Sequence, residues 1–351
     1  MLSSLSSNVV LAKARAKHGK RLKEKDYRNL LDCKSVAEVA AYLKANTDYH
    51  DVLTGINEYD IHRGQLEVLI KQKLFYNLSS FVRYELSVGE QLADYVIARA
   101  EIEEILDALM LMSAGRQEEY SQAAPLYLAK HTKIHMEQFS SIQTYGEFLD
   151  ALGSSVYRRL LAPFEPKPGE PVDVFAVENQ LYSYLFSHVQ EIIDHRVRGK
   201  TKKEVRELFQ GYIDLENYAR IIRMKKRFRA HPEFIEKNLL PFGSLKPKQL
   251  NALIHAETAN QAAAIFRTTS RGKKTANVEY NFVDELAQRI KFISGKHYIH
   301  FSSHPPVVLL SYIFLADTEV HNITTIVEGI RYQVSVDDIK KLLILPTDKA
   351  G

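Results

Sequence analysis

The chain has 351 residues, 45% of them hydrophobic, which is enough apolar material for two or three domains with cores of their own and excludes a disordered adaptor. Lysine and arginine together number 47 against 43 acidic residues. The resulting net charge of +4 is too small and too dispersed to indicate nucleic-acid binding by itself.

The first segment is basic and lacks a continuous apolar run, which argues against a secretory signal peptide. Alanines and a leucine separate its cations, so we expect a helix with a charged outer side. The only cysteine, Cys33, excludes an intrachain disulfide and a cysteine-rich metal site, and fits a reducing compartment. We expect it at a core position. The basic residues are Lys13, Arg15, Lys17, Lys20, Arg21, Lys23 and Lys25.

Three short amphipathic helices recur along the chain, and each is predicted to begin at a hydroxyl-bearing N-cap. The caps are Ser35, Thr144 and Thr258, and the helices are expected to end near Leu43, Leu152 and Phe266. The helical period dominates the rest of the chain, and strand-like alternation is nearly absent, so the fold is predicted to be all-α.

Acidic residues mark the same three units again. Glu101, Asp214 and Glu319 each stand before an apolar stretch with helical period, so we predict that a helical segment begins at each. A second set of carboxylates precedes these in the same order: Glu67, Glu178 and Asp284. This second set is predicted to pair within each unit, with a threefold polar lining as the alternative.

These marks keep one order and nearly one spacing, so the chain is predicted to hold three related helical domains, at residues 1–132, 133–245 and 246–351. Identity between the copies is low, which leaves chance matching of short helical patterns as the alternative. Prolines at residues 163–171 predict a loop inside the second unit, and those at 241–247 predict a boundary. Without a long linker, we expect the units to pack on each other.

Two short motifs resemble a nucleotide-binding loop and a metal site, but each lacks a residue that the function requires. Lys200 and Thr201 follow Gly199 like the tail of a phosphate-binding loop, but the required upstream glycine and strand are missing, so we predict a turn and a new helix capped by Thr201. His131 and His135 have the spacing of two ligands on one helical face, but no glutamate lies between them. We therefore predict no metal, no cofactor and no catalytic site.

A group of cations is the best candidate for a binding surface. They recur with helical period opposite an apolar face, so they form either a solvated helix face or a surface for an acidic partner. The group consists of Arg220, Arg223, Lys226 and Arg227. The longest apolar run, residues 307–315, is about half of what a membrane span needs, so we predict no direct span and only a peripheral membrane role through a protein partner.

Several segments resemble one known family. DYRNLL at residues 26–31, VAEVAAYL at 36–43, DLENYARIIR at 214–223 and the segment 306–345 are similar to the C subunit of archaeal- and vacuolar-type rotary ATPases, which corresponds to the eukaryotic d subunit. The resemblance covers almost the whole chain, although these motifs are diffuse helical patterns. It has no role for the basic loop that contains Arg267, Arg271, Lys273 and Lys274.

This resemblance implies three similar helical domains arranged as a pseudo-threefold funnel. It also implies a non-catalytic protein on the cytoplasmic face of the membrane, between the rotor ring (c/K subunits) and the D and F shaft subunits, in a complex that couples ATP to proton or sodium transport. The alternative, which the basic N-terminal segment suggests, is a cytosolic helical repeat scaffold that binds RNA or an acidic protein. An enzyme ranks third, because no group of residues supports a reaction class.

Overall fold

The computed structural model describes residues 2–82, 89–122 and 124–345. These residues form helices and turns without a strand, which confirms the predicted all-α class. The α-helices are α1 (Leu2–Gly19), α2 (Glu24–Asp32), α3 (Val36–Asn46), α4 (His50–Leu53), α5 (Arg63–Val82), α6 (Gly89–Ser113), α7 (Tyr145–Ala151), α8 (Val156–Leu161), α9 (Val174–His195), α10 (Gly199–Arg223), α11 (Pro232–Lys237), α12 (Pro247–His255), α13 (Ala259–Thr268), α14 (Ser270–Lys274), α15 (Val283–Phe301), α16 (Pro305–Arg331) and α17 (Val336–Leu342).

The three predicted N-caps are confirmed. The side chains of Ser35, Thr144 and Thr258 each accept a hydrogen bond from the backbone N–H three residues later, at the starts of α3, α7 and α13. At Thr144 the Glu147 carboxylate also accepts from the N-cap backbone, which completes a capping box. The proline-rich loop is confirmed as well, since residues 165–173 connect α8 and α9 without a helix.

Six long helices form the frame of the molecule. They come in three pairs, α5 with α6, α9 with α10, and α15 with α16, and each long helix contacts the next along the chain. The last of them, α16, packs back against α5, so the six helices make a closed circuit. The apolar run 307–315 forms the buried first half of α16. None of the described helices is both long and apolar enough to cross a bilayer.

Buried apolar side chains form three clusters that cross the predicted domain limits. One joins α2–α5 to the end of α16 and to α17. Another joins the end of α10 to α11–α13 and the start of α15. The largest joins α6–α10 to parts of α1, α15 and α16. Each group of short helices therefore packs on the C-terminal half of one long helix, and residues 22–53 pack on the last long helix of the chain.

The long helices α6, α10 and α16 end in the same way. Each is followed by a left-handed residue, namely Gly115 (φ 67°), Arg229 (φ 46°) and Gln333 (φ 54°). The next N–H bonds back to a helix carbonyl: Arg116 to Leu111 at 2.8 Å and Val334 to Gly329 at 2.9 Å. In α10 the corresponding bond spans one residue more, because residues Met224–Phe228 are π-helical.

Some local predictions are wrong. Helix α10 has Arg198 as its N-cap instead of Thr201, although the predicted turn and new helix are present. Cys33 is half-buried at the end of α2, and its thiol donates to the Asn29 carbonyl at 3.4 Å, so it is not a core residue. Burial raises the pKa of this thiol, which disfavours the reactive thiolate.

Candidate functional site

The three acidic marks occupy matching places, but none of them begins a helix. Glu101, Asp214 and Glu319 lie in the middle of α6, α10 and α16, where each carboxylate accepts hydrogen bonds from a segment outside its own helix. The predicted helix starts are therefore wrong, because an acidic residue before an apolar stretch is also found inside a helix. Each of these carboxylates instead holds another segment of the chain against the middle of its helix. The donors are, in the same order, Thr132 and Tyr157, Ser244 and Leu245, and Leu22 and Tyr49.

Three residues further along, two of these helices make the same pair of bonds. Asn217 exchanges two hydrogen bonds with the backbone of Leu240, at 2.8 and 2.7 Å. Asn322 does the same with Ile344, at 2.9 Å for both bonds. In α6 the matching residue is Glu104, which accepts from the Tyr120 hydroxyl at 2.8 Å. The second and third predicted units therefore share a buried asparagine that binds a distant backbone segment. Its role was not predicted from the sequence.

Removing this anchor should destabilise the fold. Asn322→Ala leaves the buried N–H and carbonyl of Ile344 without partners, so we expect the free energy of unfolding to fall by about 2–3 kcal/mol. Denaturant unfolding followed by circular dichroism measures this. The control is Asn46→Ala, which removes an exposed helix bond to Tyr42 and should cost about 1 kcal/mol or less. Equal losses in the two variants would contradict the anchoring role.

A charged network connects the long helices in the interior. Asp317 of α16 bonds to Arg99 of α6 and lies 3.1 Å from the Lys291 ammonium of α15. Arg99 also pairs with Glu103 at 3.2 Å. The Lys291 ammonium lies 5.2 Å from the ring centre of Tyr212, which is the residue of α10 that matches Arg99 and Asp317 in the repeat spacing. All three copies therefore contribute matching positions to one network.

Burial and neighbouring charges together set the pKa values in this network. Burial opposes ionisation of Asp317, but Arg99 and Lys291 outweigh it and hold the pKa of this carboxyl below its usual value. Burial lowers the pKa of Lys291, an effect that Asp317 opposes. A cavity of about 260 Å³ opens beside this network, lined among others by Lys71, Arg99 and His321.

The second set of carboxylates is paired, as predicted, but one pair crosses a predicted boundary. Glu67 lies 3.3 Å from Lys71 in its own helix, and Glu178 lies 3.6 Å from Arg220 within the second unit. Asp284 pairs with Arg223 at 2.9 Å, so this carboxylate of the third unit bonds to the second. The sequence could not show this, because the pairing depends on the contact between α10 and α15.

The structure corrects the predicted basic surface. Arg220 is only 5% exposed, and its guanidinium donates to the Asn179 side chain at 2.9 Å and to the Asn238 carbonyl at 3.1 Å. It therefore belongs to the interior. Arg223 is partly buried against Asp284, whereas Lys226 and Arg227 are exposed in the π-helical turn after α10. Helical period placed all four on one stripe, but α9 and the segment after α11 cover its first residue.

The exposed side chains of Lys226 and Arg227 lie on one face of the molecule. We call it the helix-end face, because the C-terminal ends of α6, α10 and α16 and the starts of α5 and α15 form it. The Arg223–Asp284 pair joins the end of α10 to the start of α15, and the Arg63–Glu328 pair joins the start of α5 to the end of α16. Large apolar side chains project from this face: Phe228 (70% exposed), Tyr332 (67%) and Phe282 (58%). The exposure of these aromatic residues was not predicted from the sequence, because it depends on which segments of the folded chain cover them.

The basic loop without an assigned role has an internal function. Arg271 lies in α14, and its guanidinium is 3.4 Å from the buried Asp214 carboxylate. It packs over Gly211, where an added Cβ would meet the guanidinium at 2.6 Å. Lys274 pairs with Glu207 of α10 at 2.7 Å. The segment predicted as a loop is therefore helical, in α13 and α14, and its cations fasten α14 to α10.

The rejected histidine pair is not on a helix. His131 lies in a turn with its ring 5.1 Å from that of Phe75, and His135 precedes a short 3-10 turn, 3.5 Å from Glu137. The described part of the chain contains no group of three or more histidine, cysteine or acidic side chains that could hold a metal ion.

Comparison with known proteins identifies one family and two relatives. The sequence model for the ATP synthase (C/AC39) subunit matches residues 10–342. The chain is 26% identical over 300 residues to the C subunit of the A-type ATP synthase of Methanosarcina acetivorans, which covers 81% of this chain and 72% of that protein. It is 23% identical to the C subunit of the A-type ATP synthase of Methanosarcina mazei, over 97% of this chain and 94% of that protein.

Proposed function

Because this chain belongs to the ATP synthase (C/AC39) subunit family, we propose that it is a non-catalytic central-stalk component that couples rotating shaft subunits to the membrane rotor ring. In this proposal the chain is peripheral, on the cytoplasmic face of the membrane, and ATP and ion chemistry take place in other subunits. The membership argues against the alternative of a scaffold for RNA or an acidic protein.

The observation that carries the proposal is the closed circuit of six long helices with three matching helix ends on one face. A coupling element must transmit torque without unfolding. The charged network links α6 to α15 and α16, and the contact of Lys291 with the Tyr212 ring adds α10, so all three helix pairs are joined, which resists shear between them. Such a circuit also favours a pseudo-threefold funnel of three related units, whose apolar clusters cross the limits predicted from the sequence.

The helix-end face is the better candidate for the shaft. Groups of short helices surround it, because each group packs on the C-terminal half of a long helix. Exposed aromatic residues with a basic rim are typical of protein interfaces, where a few anchors carry most of the binding energy. We therefore assign the D and F shaft subunits to this face and the rotor ring of c/K subunits to the opposite end.

Charge reversal at the exposed pair tests this assignment. The double variant Lys226→Glu, Arg227→Glu should weaken binding to the shaft heterodimer by about tenfold or more, with unchanged thermal unfolding, because both side chains are exposed and lack an ion pair among the described residues. Arg220→Glu should instead unfold the chain at lower denaturant, because it places a carboxylate beside Glu178.

The measurement is co-sedimentation of the purified chain with the shaft heterodimer and, separately, with the solubilised ring. The control variant Lys200→Glu, Lys203→Glu makes the same charge change at exposed positions near the start of α10, at the opposite end of the molecule. Failure of the folded wild type to bind either partner would refute the coupling role. Equal weakening by the control would refute the assignment of the helix-end face.

A further inference from the structure

The end of the molecule opposite the helix-end face carries an unusual concentration of positive charge. Helix α9 ends at His195 and α10 begins at Gly199, so one tight turn joins them. Four exposed cations lie on this turn and the first two turns of α10, and none of them has an ion pair among the described residues. They are Arg196, Arg198, Lys200 and Lys203, which we call the basic tip.

The acidic residues near the basic tip already have partners. Asp194 pairs with Lys202 at 3.0 Å and with Arg206 at 2.7 Å. Glu204 accepts from the Ser302 hydroxyl at 2.8 Å and lies 3.0 Å from the ring nitrogen of His304. These carboxylates are therefore committed to other groups, and the basic tip keeps a local excess of positive charge.

The bonds of Glu204 bring an apolar side chain to the same place. Ser302 directly follows Phe301, the last residue of α15, and Phe301 is 77% exposed. Its ring contacts that of His297, 5.1 Å away between centres, and most of its surface faces solvent. The turn between α15 and α16 thus places a protruding aromatic ring beside a cluster of cations.

Two of these cations, Arg198 and Lys200, do not serve the helix at whose start they lie. Helix α10 has no acidic residue in its first turn, and its N-cap, Arg198, makes no side-chain cap bond. Positive side chains at a helix N-terminus oppose the helix dipole. Residues that weaken local structure in this way commonly serve a binding function.

From this placement we infer that the basic tip and Phe301 bind the surface of a membrane that contains anionic phospholipid. Clusters of four or more lysine and arginine residues are attracted to anionic headgroups, and an aromatic ring among them can enter the boundary of the acyl chains. An acidic protein would also satisfy the cations, and binding to soluble polyglutamate without binding to anionic vesicles is the outcome that would favour it. The inference concerns the end of the molecule that the proposed function assigns to the ring.

Vesicle co-sedimentation tests this inference with the isolated full chain, without ring or shaft, so its failure would leave the coupling role untouched. Vesicles of phosphatidylcholine with about 30% phosphatidylglycerol should bind the chain at about 50 mM salt, and pure phosphatidylcholine vesicles should not. Raising the salt to about 300 mM should release most of the chain. Binding that ignores lipid charge or salt would overturn the inference.

Two variants and a matched control locate the surface. Changing all four cations of the basic tip to glutamine should lower vesicle partitioning by at least about tenfold. Phe301→Ser should lower it several-fold while leaving binding to soluble polyglutamate unchanged. The control removes four exposed lysines elsewhere, Lys130, Lys167, Lys237 and Lys248, and should retain most of the binding. An equal loss in the control, or binding of polyglutamate but not of anionic vesicles, would refute the membrane surface.

Discussion

Asp317→Asn should lower the free energy of unfolding by about 3–5 kcal/mol, the largest loss that we expect from a single side chain. The change keeps the shape of the side chain but removes the charge that compensates Arg99 and Lys291. Both cations would then remain in the interior without a full counter-charge. Since Lys291 is only 7% exposed, water cannot replace the carboxylate without a rearrangement.

Denaturant titration of the variant and the wild type measures this loss. The control is Asp338→Asn, which breaks an exposed pair with Lys341 at 2.7 Å and should cost far less than Asp317→Asn. Adding Lys291→Met to Asp317→Asn should recover part of the stability, because it removes one of the stranded cations. If Asp317→Asn cost no more than the surface control, the network would not hold the long helices together.

Glu319→Gln should change how stability depends on pH. Burial raises the pKa of the Glu319 carboxyl to about 7 from an ordinary value of 4.5, although the Leu22 N–H, the Tyr49 hydroxyl and the nearby Arg21 favour the charged form. Between these pH values the folded chain binds more protons at this site than the unfolded chain. The contribution of this group to stability is therefore fully present below pH 4.5 and is lost as the pH rises through about 7.

Glutamine removes this titration. The stability of Glu319→Gln relative to wild type should therefore rise between about pH 5 and pH 8, by an amount on the order of 3 kcal/mol. Other groups that titrate in this range, including Glu104, whose pKa burial also raises to about 7, remain in both proteins and cancel in the difference. Parallel pH profiles for the two proteins would show that the Glu319 carboxyl has no raised pKa.

The sequence predicted features whose cause is local. Ser35, Thr144 and Thr258 were identified as caps because a cap bond joins residues only three positions apart. The helical class followed from periodicity for the same reason. The family resemblance rested on segments that also form helices in the structure.

Contacts between distant segments could not be predicted in this way. Arg220 fitted an exposed stripe by its spacing, yet Asn179 and Asn238 enclose it from other parts of the chain. The role of Arg271 depends on its contact with Asp214, which lies far away in the sequence. The only feature near Asp214 that relates to this contact is Gly211, where a side chain would displace the Arg271 guanidinium. The candidate site changed accordingly, from four cations on one stripe to Lys226 and Arg227 beside exposed aromatic residues.

The packing of residues 22–53 on the end of α16 affects how the protein is made. These early helices leave the ribosome long before residues 323–343, against which they pack. At translation rates of about 5–20 residues per second, that delay is roughly a quarter of a minute to a minute. During this time Leu30, Leu43 and Leu53 lack their final partners, so a nascent chain should attract chaperones until its last helices emerge.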